Sequence, residues 1–524
     1  MSEDRRPNIV LIMLDDMGFS DVGCYGSEIR TPNLDRMAER GIRYTNFTNC
    51  ARCCPTRASL LTGLYPHQAG VGFMTDGNRY NRAIYESVGA PEYQGHLNRS
   101  CVTIAEALGE AGYQTFMSGK WHVGTREGQR PTDRGFERFY GILGGACNYW
   151  RPDPENLRYG EEPVQELPED FYTTDYFTDY AVRFVEEAEP DRPFFLYVAY
   201  NAPHWPLHAW PEDIERYRGT YMIGWDELRR RRLAKQKEMG LFGPRVRLTP
   251  RDEESYPWEE EFDQEGMDLR MATYAAMVDR VDRGIGRILA ALREAGREEN
   301  TLIMFLSDNG GCAEPIGKHS ADDPGPADSF LGYLLPWANA SNTPFRLFKH
   351  WVHEGGIATP FIVCWPSRIE GGVINTDQTG HVKDVMPTCL EAAGARYPDS
   401  CGQRELLPCE GQSLLHSFLD PESVRNEPVC WEHEGNRAVR DGRWKLVSYY
   451  NEKHEQRPGT GHRTGRWQLY DLEADRTELD DLADVYPEKA RELREKYEQW
   501  ALRTGVIDWE EAVRNAGLDR PENL

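Results

Sequence analysis

The stretch Cys53-Cys54-Pro55-Thr56-Arg57-Ala58-Ser59-Leu60-Leu61-Thr62-Gly63 sets a thiol, a proline two residues on and an arginine four residues on in one short segment. Pro55 suits the first turn of a helix, which puts residue 53 near the helix N-terminus. Free N–H groups and the helix dipole favour anions there. Arg57 follows about one turn later and can point back to the same spot as a fixed cation. Two other places carry hard oxygen ligands: Asp15-Asp16 after the apolar run Ile9 to Leu14, and Asp308-Asn309 after Thr301 to Leu306. Carboxylates plus an amide oxygen suit Ca²⁺ or Mg²⁺ rather than a softer metal. Each pair alone also reads as a turn or a helix cap. Cys50-x-x-Cys53 has its own reading, as a redox pair or half a zinc site. No second CxxC accompanies it.

These residues need a frame. Ile9 to Leu14 is a continuous apolar run closed by two carboxylates, which predicts a buried parallel strand. Thr31-Pro32 predicts a helix start, with the helix ending near Gly41. A helix over Val102 to Gly112 leads to a strand at Tyr113 to Met117. Another over Tyr176 to Glu187 leads to a strand at Phe194 to Ala199. In Ala272 to Leu292, Val278, Val281, Ile285, Ile288, Leu289 and Leu292 recur at helical spacing, and Gly296 is a stop. Repeated helix–strand units imply a largely parallel sheet with helices on both faces. Active sites form at the carboxyl ends of strands in such sheets.

After about Gly435 the pattern changes. Arg437 to Arg440 and Arg443 to Val447 flank Asp441-Gly442, a hairpin signal. Trp467 to Leu472 is a further strand and Pro487 to Thr504 a helix. The chain thus divides into 1–435 and a smaller α+β subdomain, 436–524, with an antiparallel sheet. Residues 217–266 read as an insertion. Its run Arg229 to Arg232 reads as a solvated surface helix, or as an anion-steering lid.

The Cys53 segment resembles the signature of the type I sulfatases, in the alkaline phosphatase superfamily. The cysteine, the proline, the arginine and Leu61-Thr62-Gly63 all match. Thr56 stands where serine is commoner, and a hydroxyl is kept. Further segments match in the family's order: Lys120-Trp121-His122, Ala202-Pro203-His204, and Lys349 before Glu354-Gly355-Gly356, with Asn342 to Arg346 nearby. The resemblance implies an α/β fold: a large mixed, mostly parallel sheet sandwiched by helices, alkaline phosphatase-like. It implies that a maturation enzyme oxidises Cys53 to formylglycine. It implies one Ca²⁺ on Asp15, Asp16, Asp308 and Asn309, with residue 53 completing the shell. Lys120, His204 and Lys349 would bind sulfate, and Arg57, His122 and His204 would serve catalysis through a formylglycine-sulfate intermediate. His208, His350 and His353 fall outside the motif positions and read as structural.

The implied activity is hydrolysis of a sulfate monoester, either an aryl sulfate or a sulfated carbohydrate. A geminal diol on residue 53 gives one hydroxyl to attack sulfur and a second to expel sulfate. Three alternatives stand beside it: a phosphate or phosphonate monoester hydrolase, a non-catalytic anion-binding protein with Cys53 unconverted, and a redox protein using Cys50 and Cys53. Trp121, Trp205 and Trp351 flank these motifs, either as core or as stacking platforms.

The 524 residues are 39% hydrophobic and 28% charged, with a net charge of −25, so the chain is globular and acidic. That balance excludes a nucleic-acid partner, which needs a basic footprint. The 12 cysteines are scattered rather than framed. No run reaches the ~20 apolar residues of a membrane span. Ile9 to Leu14 is too short for a signal-peptide core, so the expectation is a cytoplasmic protein.

Overall fold

The apolar run at the N-terminus forms the strand Asn8–Leu14, buried at all seven positions. It pairs in parallel with Phe194–Ala199 on one side and Thr301–Ser307 on the other. Ile9, Leu11 and Met13 enter one hydrophobic core, and Val10, Ile12 and Leu14 enter the other. A strand covered on both faces has no polar side to present, which is why its sequence does not alternate. This computed structural model describes residues 6–75, 79–420, 422–423, 427–450 and 465–518.

The sheet has ten strands, in the order Val373–Asn375, Ile42–Tyr44, Phe361–Cys364, Thr301–Ser307, Asn8–Leu14, Phe194–Ala199, Gln114–Lys120, Arg138–Ile142, Leu157–Tyr159 and Glu162–Pro163. From Thr301–Ser307 to Arg138–Ile142 every pairing is parallel. The antiparallel pairings involve Phe361–Cys364 and the two short strands at the far edge. One helical layer includes Gln264–Glu294 and Thr173–Glu186; the other includes Cys53–Thr62, Ile104–Glu110 and Val385–Ala392. This is the expected mixed, mostly parallel α/β/α sandwich. No helix of the described residues is long and apolar enough to cross a membrane.

The C-terminal part carries a four-stranded antiparallel sheet: Val429–His433, Asn436–Asp441, Trp444–Ser448 and Trp467–Asp471. Leu493, Tyr497 and Trp500 of the helix Pro487–Thr504 pack on it. Its first strand precedes residue 435, so a division at that point cuts through the sheet. Residues 451–464 and 519–524 of the expected subdomain lie outside the described residues.

Two other expectations need correction. The long helix starts at Gln264, where the Asp263 carboxylate accepts the Gly266 N–H. The cap, not the apolar spacing, sets that end. The helix Gly224–Glu238 in the insertion is solvated on one face only. Arg230 and Arg231 are exposed, but Arg229 and Arg232 are buried. Arg232 donates to Asp21 Oδ1 at 2.6 Å, Glu28 Oε1 at 2.7 Å and Ser20 Oγ at 2.9 Å. It braces the loop that follows Asp16.

Candidate active site

The parallel register brings the strand ends level. Leu14 pairs with Ser307, Met13 with Ala199, and Ala199 with Gly119. The next residues therefore emerge side by side: Asp15-Asp16, Asp308-Asn309, Lys120 at the end of its strand, and the turn holding His204. Asp308 N–H donates to Leu14 O and Asp15 N–H to Ala202 O, each at 3.1 Å, carrying the registration one step past the sheet.

Cys53 is the first residue of the helix Cys53–Thr62, with Arg52 at the N-cap and Gly63 closing the far end at φ 71°. Pro55 lies in the first turn, as expected. Thr56 Oγ1 accepts the Cys50 N–H at 2.9 Å, a task serine does equally well. Cys53 Sγ faces Asp16 Oδ1 at 3.9 Å. Burial pushes its thiol well above the usual range, although Lys120 and Lys349 pull the other way. A protonated thiol is a weak nucleophile. Cys50 is also pushed up by burial, to about 12, and its Sγ meets His381 Nε2 at 3.6 Å. All 12 cysteines are free. Burial thus disfavours the thiolate that redox exchange at Cys50 and Cys53 would need.

Three carboxylates meet three cations. Lys120 Nζ lies 2.5 Å from Asp15 Oδ2, and Lys349 Nζ 2.8 Å from Asp16 Oδ1. Arg57 Nη2 donates to Asp308 Oδ2 at 2.7 Å, and its Nη1 to the Lys120 carbonyl at 2.8 Å. Arg57 is fully buried behind the carboxylates. It holds Asp308 and the Lys120 backbone, and its charge is also felt by Cys53. Burial raises both Asp308 and Asp16, but the outcomes diverge. Asp308 stays raised because Asp15 adds repulsion, whereas Lys349 and His204 bring Asp16 below its ordinary value.

The donor set fits a hard divalent cation. Asp15 Oδ1 and Asn309 Oδ1 are buried without a hydrogen-bond partner. Asp15, Asp16, Cys53 and His204 each offer a ligand atom within 4.8 Å of the others. Crowded buried carboxylates with an orphaned amide oxygen are the chemistry of an oxygen-rich cation site. Asp308 adds a carboxylate, although Arg57 holds its Oδ2 and Asp16 N–H donates to its Oδ1 at 3.2 Å.

The two histidines differ. His204 Nδ1 lies 2.6 Å from the Trp205 carbonyl, so Nδ1 carries the proton and Nε2 faces Lys349 Nζ at 3.4 Å and Asp16 Oδ2 at 3.5 Å. Burial lowers it to about 4. His122 meets Thr75 Oγ1 at 3.2 Å through Nε2. Burial and the Lys120 charge hold it well below the usual imidazole range, hence neutral. Its ring packs on Gly145, where an added Cβ would come within 2.6 Å of Nε2.

Strain gathers at the site. Asp16, Ala51, His122 and His350 adopt positive φ, at 66°, 62°, 60° and 90°. Such backbone persists in non-glycine residues only where the surroundings impose it. His350 N–H donates to Ala51 O at 2.8 Å, tying the Lys349 loop to the Cys53 loop.

Sequence reasoning missed several partners. Arg52 Nη2 pairs with Glu314 Oε1 at 3.0 Å, and Trp205 Nε1 donates to Glu314 Oε2 at 2.7 Å. Ser307 Oγ accepts Met17 N–H at 3.1 Å. Arg52, Trp205, Ser307 and Met17 lie next to motif residues, which was the one available signal; Glu314 has no such neighbour. His208 and His350 are held structurally. His208 meets the Ser329 carbonyl at 2.9 Å. Asn436 Nδ2 donates to His350 Nε2 at 3.3 Å, so His350 Nδ1 carries the proton and donates to Glu434 at 3.1 Å. With His433, these groups are close enough to suggest a second metal cluster. His433 Nε2 lies 3.3 Å from the same Glu434 carboxylate. Trp121 is fully buried core; Trp205 and Trp351 remain partly exposed.

Comparison with known proteins agrees with this geometry. The sulfatase family profile matches residues 7–395, and an N-sulphoglucosamine sulphohydrolase C-terminal profile matches 345–502. The chain is 35% identical to an uncharacterized sulfatase of Schizosaccharomyces pombe, over 99% of this chain and 98% of that one. It is 33% identical to an arylsulfatase of Klebsiella aerogenes, over 81% and 94%. Among solved structures it resembles that of Ps i-CgsB in complex with k-i-k-neocarrahexaose, with TM-score 0.70, 26% identity and 99% of both chains covered. The chain belongs to the sulfatase family and is a sulfuric ester hydrolase.

Proposed function

We propose that the enzyme cleaves sulfate monoesters with residue 53 in its oxidised, formylglycine form and one Ca²⁺ held by Asp15, Asp16, Asp308 and Asn309. The observation that carries this reading is the convergence of Lys120, Lys349 and His204 on those carboxylates beside residue 53. When present, the cation and the aldehyde hydrate supply an activated hydroxyl nucleophile. The chain's own residues do the rest. Lys120 and Lys349 neutralise sulfate oxygens as charge develops, in a buried site where fixed charges act strongly. His204, with Nδ1 fixed on the Trp205 carbonyl, presents Nε2 to the departing oxygen and can deliver a proton there once the sulfate charge favours its protonation. His122 is neutral and so can accept a proton during sulfate release. Arg57 fixes Asp308.

Crowding of buried carboxylates supports an oxygen-bound cation. The arylsulfatase relative, and a structural neighbour solved in complex with its substrate D-glucosamine-2-N,6-O-disulfate, make aryl and sugar sulfates the first substrates to assay. The test is a mass spectrum of the peptide containing residue 53, from protein made alongside a formylglycine-generating enzyme, with sulfate-ester and phosphate-ester rates on the same sample. An aldehyde with sulfate-ester turnover is expected. An unmodified thiol in fully active protein overturns the nucleophile, and faster phosphate turnover overturns the sulfate preference.

A further inference from the structure

Beyond Lys120, His204 and Lys349 a cavity of about 330 Å³ opens, with Lys349, Arg52, Glu254, Glu314, His350 and Trp351 on its wall. Lys349 also reaches Asp16 and His204, and Arg52 directly precedes residue 53, so the cavity adjoins the place where the sulfate is held. It is therefore the space for the group the sulfate is attached to. Its volume sits at the small end of ligand pockets, which run from ~300 to ~1,000 Å³.

The wall has an unexpected charge for an enzyme of anionic substrates. Arg52 is neutralised by Glu314 at 3.0 Å and feels Glu434 as well. Lys349 is committed to sulfate under the proposed function. Glu254 and Glu314 both line the cavity, and with Lys349 engaged only Arg52 stands against them, which leaves this wall acidic in a chain of net charge −25. Glu314 is held by Trp205 Nε1 at 2.7 Å and keeps further lone pairs for acceptance. Burial raises its pKa, yet Lys349 and Arg52 outweigh burial and bring it to about 2, so it is ionised at any working pH. Trp351, stacked on Tyr449 at 4.6 Å and 12°, gives the same cavity an aromatic side chain on its wall. An aromatic face beside a hydrogen-bond acceptor suits a ring that bears hydroxyl groups.

We infer that Glu314 is a specificity-determining residue: it accepts hydrogen bonds from an uncharged, hydroxyl-bearing leaving group and rejects one that carries a second sulfate or a carboxylate. The substrates are then esters with a single sulfate on a small saccharide or phenol, not densely charged chains. This inference rests on the sulfatase reading. A second anionic group in the cavity would face Glu314 with no free cation among the described wall residues, and like charges at such range repel strongly when water is partly excluded.

The experiment compares kcat/KM for a monosulfated hexose, its disulfated counterpart and an uncharged phenyl sulfate, using matured wild type and Glu314→Gln. Wild type is expected to favour the monosulfate at least about tenfold at low salt. The preference should shrink as the Debye length falls from ~30 Å at 0.01 M to ~3 Å at 1 M ionic strength. Glu314→Gln keeps an acceptor for Trp205. It is expected to narrow the preference about tenfold while phenyl sulfate changes less than about threefold. Equal wild-type rates on both hexose esters, or a preference insensitive to salt and to the substitution, overturn the inference while phenyl sulfate turnover leaves the function standing. No turnover of any ester overturns both. The wild-type salt series decides the charge argument even if the variant folds poorly.

Discussion

Residue 53 carries the nucleophile under the proposed mechanism, so Cys53→Ala should lower kcat by about 10⁴-fold or more, as loss of a nucleophile does elsewhere. Cys50→Ala should leave kcat/KM within a few-fold and the residue-53 aldehyde intact by mass spectrometry. Loss of activity there with the aldehyde present would revive the redox reading. His204→Gln gives a sharper test. A general acid matters in proportion to the basicity of the oxygen it protonates, so the variant should lose about 10² to 10⁴ in kcat on alkyl sulfates and far less on a nitrophenyl sulfate. Equal losses on both would make His204 a sulfate ligand alone. At this scale the sequence was readable where a residue's chemistry follows from its neighbours. Asp15-Asp16 and Asp308-Asn309 were legible because each closes an apolar strand. Arg57 was legible in place but not in direction: its position one turn into a helix says nothing of Asp308, 251 residues away. Glu314 was invisible for the same reason, since its partner Arg52 is reached through the fold.

At the scale of elements, the helix Gly224–Glu238 shows how local pattern misleads. Four consecutive arginines read as a solvated face, yet the helical repeat turns two of them inward, and Arg232 meets Asp21 and Glu28. Removing one partner of a buried ion pair is costly, about 3–5 kcal/mol, because the other charge is stranded. Arg232→Met should therefore lower unfolding free energy in denaturant by about that amount, while Arg231→Ala stays within about 0.5 kcal/mol. A small effect at Arg232 would show that water replaces the guanidinium. Strands were the most legible elements, because burial on both faces leaves a continuous apolar run. The start of the long helix and the first strand of the C-terminal sheet were not. Asp263 caps across only three residues, and Val429–His433 is buried at every position with no alternation to mark it.

The whole molecule is joined through Glu354, on the Lys349 side of the catalytic domain. Its carboxylate is buried against Lys445 at 2.8 Å and against Arg476, both from the C-terminal part, and its N–H donates to Glu478 at 2.9 Å. Trp431 Nε1 reaches Asn49 O at 2.8 Å, on the approach to residue 53. Burial raises the Glu354 pKa, but Arg476 and Lys445 outweigh it and bring the folded value to about 2 against 4.5 unperturbed. The folded group is the stronger acid, so its stabilisation is complete above about pH 4.5 and is lost as pH falls toward 2. Thermal midpoints across that window should fall less steeply in Glu354→Gln than in wild type, and that variant should start from a lower midpoint at neutral pH. Parallel curves would remove Glu354 from the account.

The pairing of each lysine with a carboxylate ties the two ligands of the site together. Under the proposed function, Lys120 and Lys349 occupy oxygens of Asp15 and Asp16 that the divalent cation would take, and those carboxylates occupy the ammonium groups that sulfate would take. A cation that takes the carboxylates frees the lysines, and a sulfate that takes the lysines frees the carboxylates. Each ligand removes the competitor of the other, so their affinities must rise together and by the same factor. Calorimetric titration of Ca²⁺ with and without inorganic sulfate, and of sulfate with and without Ca²⁺, should close such a thermodynamic square with matching gains. The enzyme would then hold its anion weakly until its cation is in place, a form of quality control written into two ion pairs.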